Sequence, residues 1–311
     1  MRGAARSTTL VSCAEGGSRV NGAPVVVGID GSAVAENAAR WAAREAARLG
    51  TGLRIVYADV TEAPLLPEIP GLHWPKEHRG HVREQVARYL DRNARSARQQ
   101  APQVSVEVAC EPGFPDKVLI EESRTARAVV VGDRGFGGFT GLLAGSVAVR
   151  VATHAHTRVV VVPDVGDPPT FPVTGPVVAG VDDATSAVPV LAHAFEVAAD
   201  WDAPLHVVHT WEVIGTDVRR LLSRTAADQV QEREEGFVAD LLADWSPRFP
   251  DVEVHSFVAH GSPSAELLTR AKGAQLVVVG ARGRGGVSGA HLGTTSHKLL
   301  HHSPCPVAVI R

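Results

Sequence analysis

Two glycine-rich stretches carry the residues with the clearest chemical purpose. The first runs Gly132-x2-Gly135-x9-Gly145-Ser146 and the second Gly280-x2-Gly283-x9-Gly293-Thr294. Each follows an apolar run, Val129–Val131 or Val277–Val279, that reads as a buried strand, and each leads into a segment expected to be helical. Glycine admits positive φ and lets main chain come close to a ligand. A loop passing from a strand into a helix N-terminus offers N–H groups and the positive end of the helix dipole, which together bind phosphate. Ser146 and Thr294 add a hydroxyl at the helix start, and Arg134 and Arg282 inside the loops can pair with a phosphate. Neither loop contains GxxxxGK[ST], so no lysine reaches the phosphates in that fashion. A dinucleotide fingerprint belongs after the first strand, where this chain has only Asp30-Gly31-Ser32 or Asp182-Asp183-Ala184.

One glycine-rich loop alone is most often a flexible turn; here the loop belongs to a duplication. Gly135, Gly137, Gly138, Gly141 and Gly145 recur as Gly283, Gly285, Gly286, Gly289 and Gly293, each pair 148 residues apart. Gly113-Phe114-Pro115 and Gly261-Ser262-Pro263 keep the same offset. Val25–Asp30 and Val177–Asp182, two apolar strands each ending in Gly-x-Asp, are 152 apart. Solenoid repeats span roughly 20–50 residues, so this is a duplicated domain. The Pro- and Gly-rich stretch 164–176 reads as a linker between domains at 23–163 and 177–311, and residues 1–22 as a disordered leader.

The elements that must hold these residues alternate strand and helix. Val25–Ile29 is a continuous apolar run of the kind buried on both faces of a parallel sheet. Ala38, Ala42, Ala46 and Leu49 share one helical face, and Gly50 stands where a C-terminal cap belongs. A strand at 53–58, a polar helix at 77–99, a strand at 104–109, a helix opened by Pro115, a strand at 128–132, a helix from about Gly145 and a strand at 159–162 complete the half. The second half repeats the order. The pattern predicts an α/β fold: two tandem, open, five-stranded parallel sheets, Rossmann-like and doubly wound. Ligands in such sheets bind beyond the strand carboxyl ends at the switch point, and both Asp30 and the loop after Gly132 lie at strand carboxyl ends.

Composition removes other classes. Of 311 residues 44% are hydrophobic and 21% charged, which suits a globular chain, and a formal net charge of −3 argues against nucleic acid as a partner held by bulk charge. No stretch of about 18 apolar residues suggests a membrane span. Three widely spaced cysteines, Cys13, Cys110 and Cys305, form no disulfide or metal pattern and point to a reducing cytoplasm.

The motif G-x2-G-x9-G-[S/T], the preceding Val-Val-Val-Gly, the strand-one aspartate and the closing Pro306-Val307-Ala308-Val309-Ile310 together resemble the universal stress protein family, twice over, across 23–311. The glycines are similar to those of its ATP-binding branch. The resemblance implies ATP or a related adenine nucleotide as ligand, often with Mg2+, in a stress-response regulatory or sensing module. Carried over, Gly132, Gly135, Gly145 and Ser146 hold phosphates and ribose, flanked by Val131, Arg134 and Val147. Gly28 and Asp30 lie beside the nucleotide, and Ala58 meets adenine through its backbone. The matching positions in the second half are Gly180, Asp182, Thr210, Val279, Gly280, Arg282, Gly283, Gly293, Thr294 and Thr295. Mg2+ is expected near Asp30, Asp182 and Asp183, with no metal site formed by protein alone. Asp183 departs from the Asp-Gly-Ser of the first half: its carboxylate either repels phosphate or helps hold Mg2+, which favours the first site.

Family members dimerise through the last strand, so the resemblance implies pairing of 159–162 with 307–310 inside the chain, with the two domains related by a pseudo-twofold axis and a homodimer as a further assembly. His297, His301 and His302 share an expected helix without a third metal ligand close in sequence, and Trp74 stands among Lys76, His78, Arg79 and His81 in the variable middle, read as a packed loop. No nucleophile–base pair is identifiable, so the catalytic alternative is a slow ATPase or phosphotransferase in the same cleft. A nucleotide-free scaffold for protein partners is the other alternative.

Overall fold

A computed structural model of the chain describes residues 22–62, 76–135, 145–166, 172, 174–212, 224–283 and 291–311. The leader through residue 21, Trp74, the loop interiors 136–144 and 284–290, and linker residues 167–171 and 173 lie outside the described residues. The first half runs β1 (Val25–Ile29), α1 (Ala33–Arg48), β2 (Leu53–Asp59), a 3-10 turn (Val60–Glu62), α2 (Lys76–Gln100), β3 (Val106–Pro112), α3 (Pro115–Glu122), β4 (Ala128–Gly132), α4 (Ser146–His154) and β5 (Val159–Val162). The second runs β6 (Val177–Val181), α5 (Ala184–Asp200), β7 (Leu205–Trp211), α6 (Arg224–Ala243), a 3-10 turn (Ser246–Arg248), β8 (Val254–His260), α7 (Pro263–Arg270), β9 (Leu276–Gly280), α8 (Thr294–His302) and β10 (Val307–Ile310).

Local chemistry explains the boundaries. Ser32 caps α1 by accepting from the Ala35 N–H at 3.1 Å. The helix buries Ala38, Ala42 and Ala46 completely, and Gly50 leaves it at φ +60°, a left-handed turn that suits a residue without a β-carbon. Pro115 and Pro263 open α3 and α7, where a missing N–H costs no helical bond. The third strand begins two residues later than the spacing predicts and continues to Pro112, because it pairs with all of β2 from Leu53↔Val106 to Asp59↔Pro112.

Among the described residues, ten strands form one sheet in the order β3-β2-β1-β4-β5-β10-β9-β6-β7-β8. Within each half the strands are parallel, and read inward from either end the order is the same. The seam is antiparallel: Val307 lies opposite Val161, and Val309 opposite Val159. Each face of the sheet carries one apolar cluster containing residues of both halves. Val160 and Ala308 point into one, while Val159, Val161, Val307 and Val309 point into the other. Charged contacts also cross the seam. The Arg48 guanidinium of α1 donates to Asp200 of α5, and Arg311 donates to the Ala155 carbonyl that follows α4.

Candidate functional site

In each half the switch point lies between the first strand and the fourth, β1 with β4 and β6 with β9. It is there, at the strand carboxyl ends, that the structure gathers the residues singled out by the repeat. Asp30 and Asp182 follow β1 and β6 directly. Gly132 and Gly280 end β4 and β9, and the chain then turns toward the aspartate. A β-carbon on Gly283 would stand 2.5 Å from Asp182 Oδ2, and one on Gly135 would collide with Asp30 Oδ2 in the same way. A side chain at either position would have to displace the carboxylate, so glycine lets the loop pass this close.

The neck of each loop is closed by main chain. The Gly145 N–H donates to the Asp133 carbonyl at 2.5 Å, and the Gly293 N–H to the Ala281 carbonyl at 2.8 Å. Gly145 and Gly293 are then the N-caps of α4 and α8, and no side chain caps either helix. This differs from α1 and α5, whose first turns are closed by Ser32 and Asp183. The two helices behind the glycine loops thus present their first-turn N–H groups where phosphate would bind.

The second half encloses a cavity of about 420 Å³. Gly180, Asp182, Thr210, Val279, Gly280, Arg282, Gly283, Gly293, Thr294 and Thr295 all line it. Val181, Val208, Pro263, Leu267, His291, Leu292 and Ser296 line it too, and the sequence reading missed them. Val208, Leu267 and Val279 supply apolar wall; Leu267 packs against Gly180, where an added β-carbon would meet its Cδ1 at 3.0 Å. The Ser296 hydroxyl donates to the Gly280 carbonyl at 2.6 Å and ties α8 to the end of β9. Pro263 and Leu267 were within reach of sequence, because Gly-Ser-Pro at 261–263 repeats Gly-Phe-Pro at 113–115 and marks the helix that closes the wall.

The first half places its residues equivalently. Gly28 lies in β1 beside Val56, with Leu119 of α3 packed over it; Ala58 is in β2; Val131 and Gly132 end β4; Arg134 and Gly135 form the turn; Ser146 and Val147 begin α4. The electrostatics differ. Position 133 is an aspartate where the second half has Ala281. Burial pushes the Asp133 carboxyl above its ordinary range, against the opposing effects of the Asp164 backbone N–H and Arg134, and its Oδ1 has no hydrogen-bond partner. Arg134 is held at 3.6 Å from both Asp133 Oδ2 and Asp164 Oδ2. Arg282 has an alanine for its neighbour and lines the cavity.

Asp183 is engaged with its own helix. Its Oδ1 accepts from the N–H groups of Thr185 at 2.9 Å and Ser186 at 3.0 Å, and its Oδ2 from the Ser186 hydroxyl at 2.7 Å. It does the capping that Ser32 does in the first half and is not among the residues lining the cavity. A cap aspartate and a ligand aspartate look identical in sequence; the helix start one residue later tells them apart.

Two α/β units of the same doubly wound order, each with a helix that no side chain caps behind a glycine turn, define a tandem α/β protein. The family model for the universal stress protein family matches residues 23–163 and 174–311, and the chain belongs to that family. It is 32% identical over 291 residues to a universal stress protein of Mycobacterium tuberculosis (strain ATCC 25618 / H37Rv), covering 92% of this chain and 96% of the relative. It is 34% identical over 302 residues to one of Mycobacterium bovis, covering 92% and 94%. Among solved structures, a universal stress protein from Archaeoglobus fulgidus shares the fold at a TM-score of 0.64 and 20% identity, covering 92% of this chain and 98% of that one.

Proposed function

We propose that the chain binds adenine nucleotide, ATP with Mg2+, in its glycine-loop clefts and serves as a cytoplasmic regulatory or sensing module rather than as an efficient enzyme. The observation that carries this reading is the second-half cavity. Its volume, about 420 Å³, falls in the range of small-molecule sites, roughly 300–1,000 Å³. Its chemistry is divided as a nucleotide needs. Val208, Leu267 and Val279 offer apolar surface to a base, while the α8 N-terminus, Thr294, Thr295 and Arg282 face the phosphates. Asp182 supplies a carboxylate oxygen in the same cavity, a hard donor suited to a Mg2+ that also bridges phosphates. The antiparallel register of β5 with β10 supports a single paired unit within one chain. No disulfide forms among the described residues, which fits a reducing compartment, and no described helix is long and apolar enough to cross a membrane.

The test is the nucleotide content of freshly purified protein by mass spectrometry, followed by calorimetry with Mg-ATP. A dissociation constant of about 10 µM, worth roughly −7 kcal/mol, is the expected scale. A chain that carries no adenine nucleotide and gains no thermal stability from millimolar ATP overturns the reading. Steady ATP turnover abolished by Asp182→Ala would instead assign an ATPase.

A further inference from the structure

Outside the clefts, the second half carries a feature that the first lacks. His297 and His301 are one turn apart on α8 and face each other, with ring centroids 4.5 Å apart and their Nε2 atoms separated by 3.3 Å. The equivalent positions on α4 are Val149 and Thr153. A tetrahedral zinc with Zn–N bonds of about 2.0–2.1 Å holds two ligand nitrogens about 3.3–3.4 Å apart. The two Nε2 atoms therefore already stand at the edge length of a metal tetrahedron. Histidines at i and i+4 on one helical face are a recurrent pair of zinc ligands, because that spacing brings both imidazoles to one ion without distorting the helix.

We propose that His297 and His301 form a two-point site for an imidazole-preferring divalent transition metal, of the Zn2+, Ni2+ and Cu2+ class. Neutral imidazole is a borderline-soft donor that suits these ions and not Mg2+ or Ca2+, which want oxygen. Among the described residues no group of three or more His, Cys, Asp or Glu converges on a metal, so water completes the coordination and the site is an open one. His297 is exposed at the helix surface, which gives the ion a route in from solvent. The site is separate from the cleft: the cavity lining ends at Ser296, and the pair uses the next turn of α8.

The test is a calorimetric titration of the full chain, without an affinity tag, with Zn2+ and separately with Ni2+. One site is expected above the background of scattered histidines, and His297→Gln and His301→Gln should each weaken it about tenfold or more. Because His297 is exposed, His297→Gln keeps the fold, and its melting temperature without metal is expected to match the wild type. A second readout is Co2+ substitution, whose visible spectrum reports nitrogen ligation and should be lost in both variants. Metal binding and Co2+ spectra unchanged in His297→Gln and His301→Gln would overturn the proposal and leave the two rings as a hydrogen-bonded pair.

Discussion

Asp182 and Gly283 are fitted to each other: the carboxylate Oδ2 lies 2.5 Å from where a β-carbon on the glycine would project. Asp30 and Gly135 repeat the relationship in the first half. The strand-one aspartate and the second glycine of the loop are thus one structural unit, although a hundred residues separate them in sequence. The loop crosses the carboxylate at a distance that a side chain could share only by displacing it, which places main-chain amides and a carboxylate on the same wall of the cleft.

Gly283→Ala tests that fit. The added methyl must push the Asp182 carboxylate aside, and both the amide cradle and the oxygen donor for Mg2+ move with it. We expect affinity for Mg-ATP at the second cleft to fall about tenfold or more, a loss of roughly 1.4 kcal/mol or greater. Thermal stability without ligand should change by only a few degrees. Calorimetry of the variant beside the wild type is the check, and equal affinities would separate the aspartate–glycine contact from binding.

The two clefts should be unequal, with the second the tighter. Arg134 faces two carboxylates, Asp133 and Asp164, and a phosphate entering the first cleft must compete with both. Arg282 sits beside Ala281 instead. Asp133→Ala removes one competitor and a buried, partly unsatisfied carboxylate together. It should therefore raise first-cleft affinity and leave stability unchanged or improved. Titration of Asp133→Ala in a Gly283→Ala background isolates the first cleft; weaker binding there would show that Asp133 serves the ligand.

Much of this was legible in sequence because the fold is written in glycine, valine and proline spacing. Val25–Ile29 and Val129–Val131 read as buried strands and are strands in the structure, and the duplication divided the chain into two halves. The cleft-lining glycines followed from the same repeat. Asp183 was harder, since capping depends on where a helix starts, which a single residue type does not settle. The shared ten-stranded sheet was also only partly visible: strand order within a half follows from chain direction, but the charged residues at the seam, Glu45, Arg48 and Arg158, look like ordinary polar helix and loop positions. Their meaning comes from burial, a three-dimensional property.

That seam makes a strong stability prediction. Glu45 is 2% exposed and accepts two hydrogen bonds from Arg48, through Nε and Nη2, each at 2.7 Å; Arg158 Nη2 lies 3.5 Å from its Oε1. Glu45→Gln leaves two buried guanidinium groups without their shared counter-charge. Removing one partner of a buried ion pair costs about 3–5 kcal/mol. Urea unfolding of Glu45→Gln at neutral pH should show that loss, and a change under about 1 kcal/mol would mean that Asp200 and solvent hold the arginines alone.

The same seam sets a pH limit through His193, which is 6% exposed, has a buried Nδ1 without a hydrogen-bond partner, and occupies the position of Trp41 in the first half. Burial first, then the charges of Arg158 and Arg48, lower its pKa to about 3. The folded state therefore keeps the ring neutral, whereas the unfolded chain takes up a proton as pH falls below the ordinary histidine value of about 6.5. The unfolded state binds more protons across that interval, so stability declines as pH drops from about 6.5 toward 3. At pH 5 the cost relative to pH 7 is about 2 kcal/mol from this one residue. His193→Phe keeps an aromatic ring and removes the proton site, so its unfolding free energy should fall less between pH 7 and pH 5 than that of the wild type, by about that amount. Parallel slopes for the two proteins in urea titrations at both pH values would show that His193 is already protonated in the fold, with the arginines moved away from it.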